Sequence, residues 1–260
     1  MMIDTHCHLY ADAFNEDRPA MMERAFAAGI DRFYLPAIDS SILPEMLQME
    51  TDYPGRCFAM MGLHPCSVKE NYEEEMQIAA GWLAKRKFAA IGETGLDFYW
   101  DKTFIQQQYD AFKRQVQWAK QYNIPVVIHS RESTRECIDV IKEMHGPGLT
   151  GIFHCFGGSM EEAQEITGLG FYLGIGGVIT YKNSGLAAVI EKIPIDHLVL
   201  ETDAPYLTPA PFRGKRNESA YLTYIAQKIA DVKNIPVETV TAATTRNAEN
   251  LFGTEITANQ

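Results

Sequence analysis

The sequence lacks any apolar run approaching the roughly 20 residues needed to cross a bilayer, so no membrane partner is expected. It also lacks a basic N-terminal segment followed by an apolar stretch. The N-terminus reads as a strand, so no signal peptide is expected and the protein is assigned to the cytoplasm. No C-x-x-C pair occurs, and the five cysteines (Cys7, Cys57, Cys66, Cys137, Cys155) are odd in number, which argues for reduced thiols in that compartment. Cys7 and Cys155 each adjoin a histidine and are expected to face away from it into packing. Positive charge is scarce: 23 Lys and Arg against 34 Asp and Glu leave a formal net charge of −11. That balance argues against a broad basic face for duplex DNA, but not against an enzyme that grips one strand end through metals and a few local cations. Linkers, low-complexity tracts and internal repeats are missing as well. Residues 1–260 therefore read as one domain, and nothing calls for an obligate protein partner.

What is present is a rhythm. Strand-like segments fall near residues 2–6, 33–38, 57–63, 88–93, 126–129, 151–154, 171–175 and 198–201. Helical patterns lie between them, at 18–28, 43–51, 73–87, 104–122, 132–144, 160–169 and 186–192. Two more, at 220–232 and 237–252, close the chain. Eight strands with intervening helices predict an α/β fold, a parallel (β/α)₈ TIM barrel; an open doubly wound sheet is the runner-up. The segments around 101–107 and 208–219 are expected to be rim loops.

Five of the strand patterns end in chemistry. The first runs into His6-Cys7-His8, where alternation along an extended chain brings the two imidazoles together. Others run into Glu93, His129, His154 and Glu201-Thr202-Asp203. A single His-x-His carries little weight, but five strand ends bearing metal-capable side chains suit a barrel, which gathers all its carboxyl ends on one rim.

The ordered set His6, His8, Glu93, His129, His154, Asp203 resembles that of the metal-dependent hydrolase superfamily of barrels, and within it the TatD-type deoxyribonucleases. The supporting motifs are Ile3-Asp-Thr-His-Cys-His-Leu9, Gly62-Leu-His-Pro65, Ile91-Gly-Glu-Thr-Gly-Leu-Asp97, Ile128-His-Ser-Arg131, Phe153-His-Cys-Phe-Gly-Gly158, Leu200-Glu-Thr-Asp-Ala-Pro-Tyr-Leu207 and Arg213-Gly-Lys-Arg-Asn217. The likeness spans essentially the whole chain. It implies a pair of divalent cations, with His6, His8, Glu93 and Asp203 holding one and Glu93, His129 and His154 the other. Glu93 would bridge, where related barrels use a carboxylated lysine. Two ions about 3.5–4 Å apart suit phosphoester hydrolysis, and Asp203 is the natural general base.

Around this set the sequence leaves paired readings. His64 resembles a family position that contacts the scissile phosphate, or it caps a turn before Pro65. Arg131 pairs with phosphate or with a rim acid. Arg213, Lys215 and Arg216 contact substrate or form a solvated loop. Glu201 is expected to orient a ligand histidine or the water. Asp97 does likewise or caps the following segment. His145 and His197 read as structural.

Four imidazoles favour Zn²⁺, Mn²⁺ or Fe²⁺ over Mg²⁺, although the family is described as magnesium-dependent. The expected function is a 3′-5′ exonuclease on single-stranded or frayed DNA, with RNA a further nucleic acid substrate. The alternatives are a deacylase or amidase acting on an aminoacyl-tRNA or a small ester or amide, and a non-catalytic interaction module. A complete ligand set argues against the last.

Overall fold

The computed structural model describes residues 1–253. Eight parallel strands follow one another: β1 (Met2–Asp4), β2 (Ile30–Leu35), β3 (Cys57–Ala59), β4 (Ile91–Asp97), β5 (Val126–Arg131), β6 (Gly151–Phe153), β7 (Tyr172–Ile175) and β8 (Leu198–Leu200). They form two arcs, one of β1–β3 and one of β4–β8. Backbone bonds close both seams. Met61 bridges Ile91 in parallel beyond β3, and the Thr5 amide donates to the Leu200 carbonyl at 3.0 Å beyond β1. The result is the expected (β/α)₈ barrel, with no free sheet edge among the described residues.

Helices α1 (Arg18–Ala27), α2 (Leu43–Asp52), α3 (Tyr72–Lys85), α4 (Ile105–Tyr122), α5 (Thr134–Met144), α6 (Met160–Gly168), α7 (Leu186–Lys192) and α8 (Leu222–Lys233) wrap the outside. A ninth, α9 (Val237–Phe252), lies against the first and last strands. It carries Phe252 to the lumen, where that ring stacks on Tyr34 with 3.8 Å between centroids.

Pleating decides which side chains fill the lumen. Ile3, Tyr34, Phe58, Val127, Ile152 and Val199 point inward as one apolar cluster, while their neighbours face the helices. Two residues beyond Val127, Ile152 and Val199, on the same side of the chain, stand His129, His154 and Glu201. The alternation that packs the barrel therefore also aims the polar groups at its mouth.

Strand boundaries shift from those expected. The strand placed at 33–38 is Ile30–Leu35, and the one ending at Glu93 runs on to Asp97. The acidic residues and glycines of that segment conceal a strand whose Thr94, Leu96 and Asp97 pair with Ile128, Ser130 and Arg131. Its register slips between Ile91 and Thr94, and Glu93 sits in that irregularity, a common device for re-aiming a side chain beside a site. Gly95, with φ of 141°, is needed opposite β5, where a Cβ would collide with the His129 carbonyl. At the β8 seam, buried Asp4 accepts from the Thr202 amide (3.0 Å), the Thr202 hydroxyl (2.6 Å) and the Ser219 hydroxyl (2.7 Å).

Candidate metal centre

Five imidazoles and two carboxylates converge at the carboxyl end of the barrel. Glu93 is the hub, and its two oxygens face different partners. Oε1 lies 2.8 Å from His129 Nδ1, 2.8 Å from His154 Nε2 and 3.3 Å from His64 Nε2. Oε2 lies 3.1 Å from His6 Nε2 and 3.8 Å from His8 Nε2. Asp203 closes the second group, its Oδ1 standing 3.3 Å from His8 Nε2 and 3.7 Å from His6 Nε2. All six residues expected as ligands thus meet at one place. Among the described residues, His6, His8 and Asp203 form one cluster with metal-binding spacing. His6, Glu93 and His154 form a second, and His64, Glu93 and His129 a third.

Neighbouring groups set which nitrogen faces inward, most firmly in His8 and His129. The Tyr10 hydroxyl donates to the Pro36 carbonyl at 2.6 Å. His8 Nδ1, 2.9 Å from the same hydroxyl, must therefore be the donor to it, which leaves the Nε2 lone pair of His8 directed at the site. Asp97 Oδ2 stands 2.9 Å from His129 Nε2 and leaves Nδ1 facing Glu93. Glu201 Oε1 lies 3.4 Å from His154 Nδ1, leaving Nε2 inward. A Cβ at Gly174 would strike the Glu201 carboxylate, so only glycine leaves it room. His64 differs. Its Nδ1 accepts from the Cys66 amide at 3.0 Å, so the neutral ring carries its proton on Nε2, turned towards Glu93. That nitrogen is a donor rather than a lone pair.

His6 tests whether the set fits a metal. It is fully buried, stacks on His154 at 3.8 Å, and neither ring nitrogen makes a hydrogen bond, although Nε2 lies 3.1 Å from Glu93. An unpaired buried nitrogen costs about 1–3 kcal/mol, and a cation bound at Nε2 would offset that cost. Four inward imidazole nitrogens with two carboxylates suit a divalent transition metal. The donor set fits.

Charge follows the same logic. Burial opposes ionisation of Glu93, yet the imidazoles of His154, His64 and His6 hold its carboxyl well below the usual range. Burial likewise opposes ionisation of Asp203, but the neighbouring imidazoles of His8, His154 and His6 pull it down. Burial lowers His6 and His64 below an ordinary histidine. His154 goes the other way: burial is outweighed by Glu93 and Glu201, which raise it well above an ordinary histidine. Residues just past three strand ends, Glu132, Cys155 and Asp203, adopt left-handed backbone with φ of 54°, 47° and 55°, a mild strain typical of functional loops.

The paired readings resolve in part. Asp97 does both of its expected jobs: beyond holding His129, its Oδ1 accepts from the Tyr99 and Trp100 amides, each at 3.0 Å. Arg131 has no carboxylate partner among the described residues and lies 3.9 Å from the Tyr99 ring centre. Arg213 is exposed and rests 4.0 Å over Tyr181, and Lys215 is exposed on the same loop. Arg216 departs from expectation. Both its amino groups bond Asp17, at 2.6 and 2.9 Å, and it covers Phe14. It clamps the loop to the entry of α1 because Asp17, distant in sequence, folds against it. Cys155 is also corrected: it is half-buried outside the core, its amide bonded to Glu201 Oε1 at 2.5 Å. Two participants were missed. Tyr10, which orients His8, lies two residues past it, a spacing that could have flagged it. Tyr206, whose ring centre lies 5.8 Å from that of His8, left no such signal.

Comparison with known proteins agrees. Residues 3–253 match the family described as TatD related DNase. The chain is 39% identical to the metal-dependent hydrolase YabD of Bacillus subtilis, over 97% of this chain and 99% of that one. It is 32% identical to the 3′-5′ ssDNA/RNA exonuclease TatD of Citrobacter rodentium, over 97% and 98%. The crystal structure of YjjV, a TatD homologue from Escherichia coli, superposes with a TM-score of 0.91 at 30% identity, covering 98% of each chain. With the ligand geometry and the likeness both running the length of the described barrel, the chain belongs to the TatD-related family and is a metal-dependent hydrolase.

Proposed function

We propose that this hydrolase cuts phosphodiester bonds as a 3′-5′ exonuclease on single-stranded or frayed DNA, using a pair of divalent cations. The observation that carries the reading is the division of Glu93, whose Oε2 faces His6 and His8 while Oε1 faces His129 and His154. A carboxylate so placed suits a bridge between two ions. His6, His8 and Asp203 would complete one ligand set, and His129 and His154 the other. Imidazole-rich donors favour zinc or manganese, with magnesium the weaker binder. When bound, such a pair would supply Lewis-acid polarisation of the phosphate and a lowered pKa of the attacking water.

The chain's own groups do the rest. Asp203, held ionised beside His8, accepts the proton of the attacking water. His64 presents an Nε2 proton that suits a phosphate oxygen better than a metal. Arg131, Arg213 and Lys215 supply positive charge at the rim of an acidic protein. Few cations favour a grip on one strand end over tracking along a duplex. The exonuclease name of the Citrobacter relative supports the same substrate class.

The test is incubation of metal-loaded protein with 3′- and 5′-labelled single-stranded DNA, RNA and an aminoacyl-tRNA, in parallel. Stepwise release of mononucleotides from the 3′ end is expected, and covalently closed single-stranded circles should resist. Internal cuts would refute end-directed action. Cleavage confined to the aminoacyl ester, or to small amides, would replace the nuclease with a deacylase or amidase.

A further inference from the structure

Trp100 is 66% exposed and Tyr99 48% exposed, on the loop that leaves β4. These two aromatics are not loosely held. Asp97 Oδ1 accepts both of their amides, while its Oδ2 holds His129. The Phe98 amide donates to the Arg131 carbonyl at 3.0 Å. On the far side, Lys69 pairs with Asp101 at 2.5 Å and lies over Phe104. The Tyr99 and Trp100 rings meet edge to face, with centroids 4.8 Å apart at 86°. The Arg131 guanidinium lies 3.9 Å from the Tyr99 centre and 5.2 Å from that of Trp100. A fixed backbone thus displays an uncovered indole beside a cation without a carboxylate partner, one carboxylate away from a metal-binding histidine.

We infer that Tyr99, Trp100 and Arg131 form a stacking platform for an unpaired nucleobase next to the scissile end, a reading that rests on the nuclease proposal. Three features favour a nucleotide as the occupant. A base offers a π-face to the indole, while the adjacent phosphate offers two oxygens to a planar guanidinium. The two chemistries alternate along a nucleic acid strand at the spacing of neighbouring side chains. A chain of net charge −11 also gains little from long-range attraction, so contacts that are insensitive to salt matter more. Because every base has a π-face, the platform gives affinity without sequence preference. A base inside a duplex is already stacked, which favours single or frayed ends.

The experiment compares wild type, Trp100→Ala and Trp100→Phe, each metal-loaded, on a single-stranded oligonucleotide and on one with abasic sites in its last few 3′ positions. Loss of one stacked base should raise KM about 5- to 100-fold in Trp100→Ala, with kcat within about twofold and most of the loss restored in Trp100→Phe. Wild type on the abasic strand should match Trp100→Ala on the normal one. Binding is read separately by quenching of tryptophan emission with a strand whose 3′ linkages are phosphorothioates. Quenching is expected from the base-bearing strand and not from the abasic one. An unchanged KM in Trp100→Ala, or an equal penalty on both strands, overturns the platform. If wild type cuts no nucleic acid, the nuclease proposal fails, and the platform then stands or falls on base-dependent quenching alone.

Discussion

Asp97 Oδ2 lies 2.9 Å from Nε2 of His129, which leaves Nδ1 of the same ring 2.8 Å from Glu93. The carboxylate sets the orientation and tautomer of a histidine that would hold a cation in the proposed centre, and stands behind the ring from it. In Asp97→Asn the Tyr99 and Trp100 amides retain the one remaining oxygen, so the side-chain NH2 faces His129 Nε2 and cannot accept its proton. Metal affinity, measured by competition with a chelator, should fall about 10- to 100-fold while the fold survives. Unchanged affinity would show that the ring is held by packing alone.

The raised basicity of His154 gives a second test. With no metal bound, Glu93 and Glu201 outweigh the effect of burial and keep its proton on above the ordinary 6.5. A cation needs the Nε2 lone pair, so uptake at pH 7 must expel that proton. Affinity should therefore climb with pH until His154 titrates and then level off. Metal-free stability should move the opposite way. A raised histidine contributes fully below 6.5 and loses that contribution as pH rises through the folded pKa. Calorimetry in buffers of different ionisation enthalpy should find proton release at pH 7 that shrinks at higher pH. Release that does not vary with pH would exclude His154 as its source.

The seam between β1 and β8 carries a third. Asp4 is fully buried and accepts from Thr202 twice and from Ser219 once. Asp4→Ala leaves three buried donors unpaired and should cost about 2–4 kcal/mol in denaturant unfolding. Asp4→Asn keeps the acceptor for the Thr202 amide and should cost less. Equal losses in the two variants would place the whole contribution on Oδ2, the acceptor for the Thr202 and Ser219 hydroxyls that both variants remove.

Much of this centre could be read from the sequence because two periodicities coincide. Lumen residues such as Val127 and Ile152 alternate with helix-facing ones, and the same step of two carries the chain to His129 and His154. A barrel then gathers strand ends without further instruction. What escaped depends on contacts far along the chain. Nothing near Arg216 announces Asp17, 199 residues away, so its charge read as available for phosphate. His64 is a local exception: it caps the turn at Pro65, one of its two expected roles, and the bond it accepts from the Cys66 amide is what makes Nε2 a donor. Glu93 looked like a strand end because its neighbours are glycine and threonine. Only the pairing of Thr94, Leu96 and Asp97 with Ile128, Ser130 and Arg131 shows that β4 continues.

The last test separates proton transfer from metal holding at Asp203. The side chain stands 3.3 Å from His8 Nε2 and 3.7 Å from His6 Nε2, so it both lends charge to that ligand group and faces the space where a water would lie. Asp203→Asn keeps the shape and one oxygen donor but cannot accept a proton at neutral pH. If it acts as general base, kcat should fall about 10²- to 10⁴-fold, and KM should move far less. The two roles differ in their response to metal. Where the loss comes from weakened binding of a cation, raising manganese should restore turnover towards wild type; where it comes from the missing base, saturation with metal should leave kcat low. Full activity of the variant at neutral pH would remove Asp203 from the proton path and leave it as a ligand only.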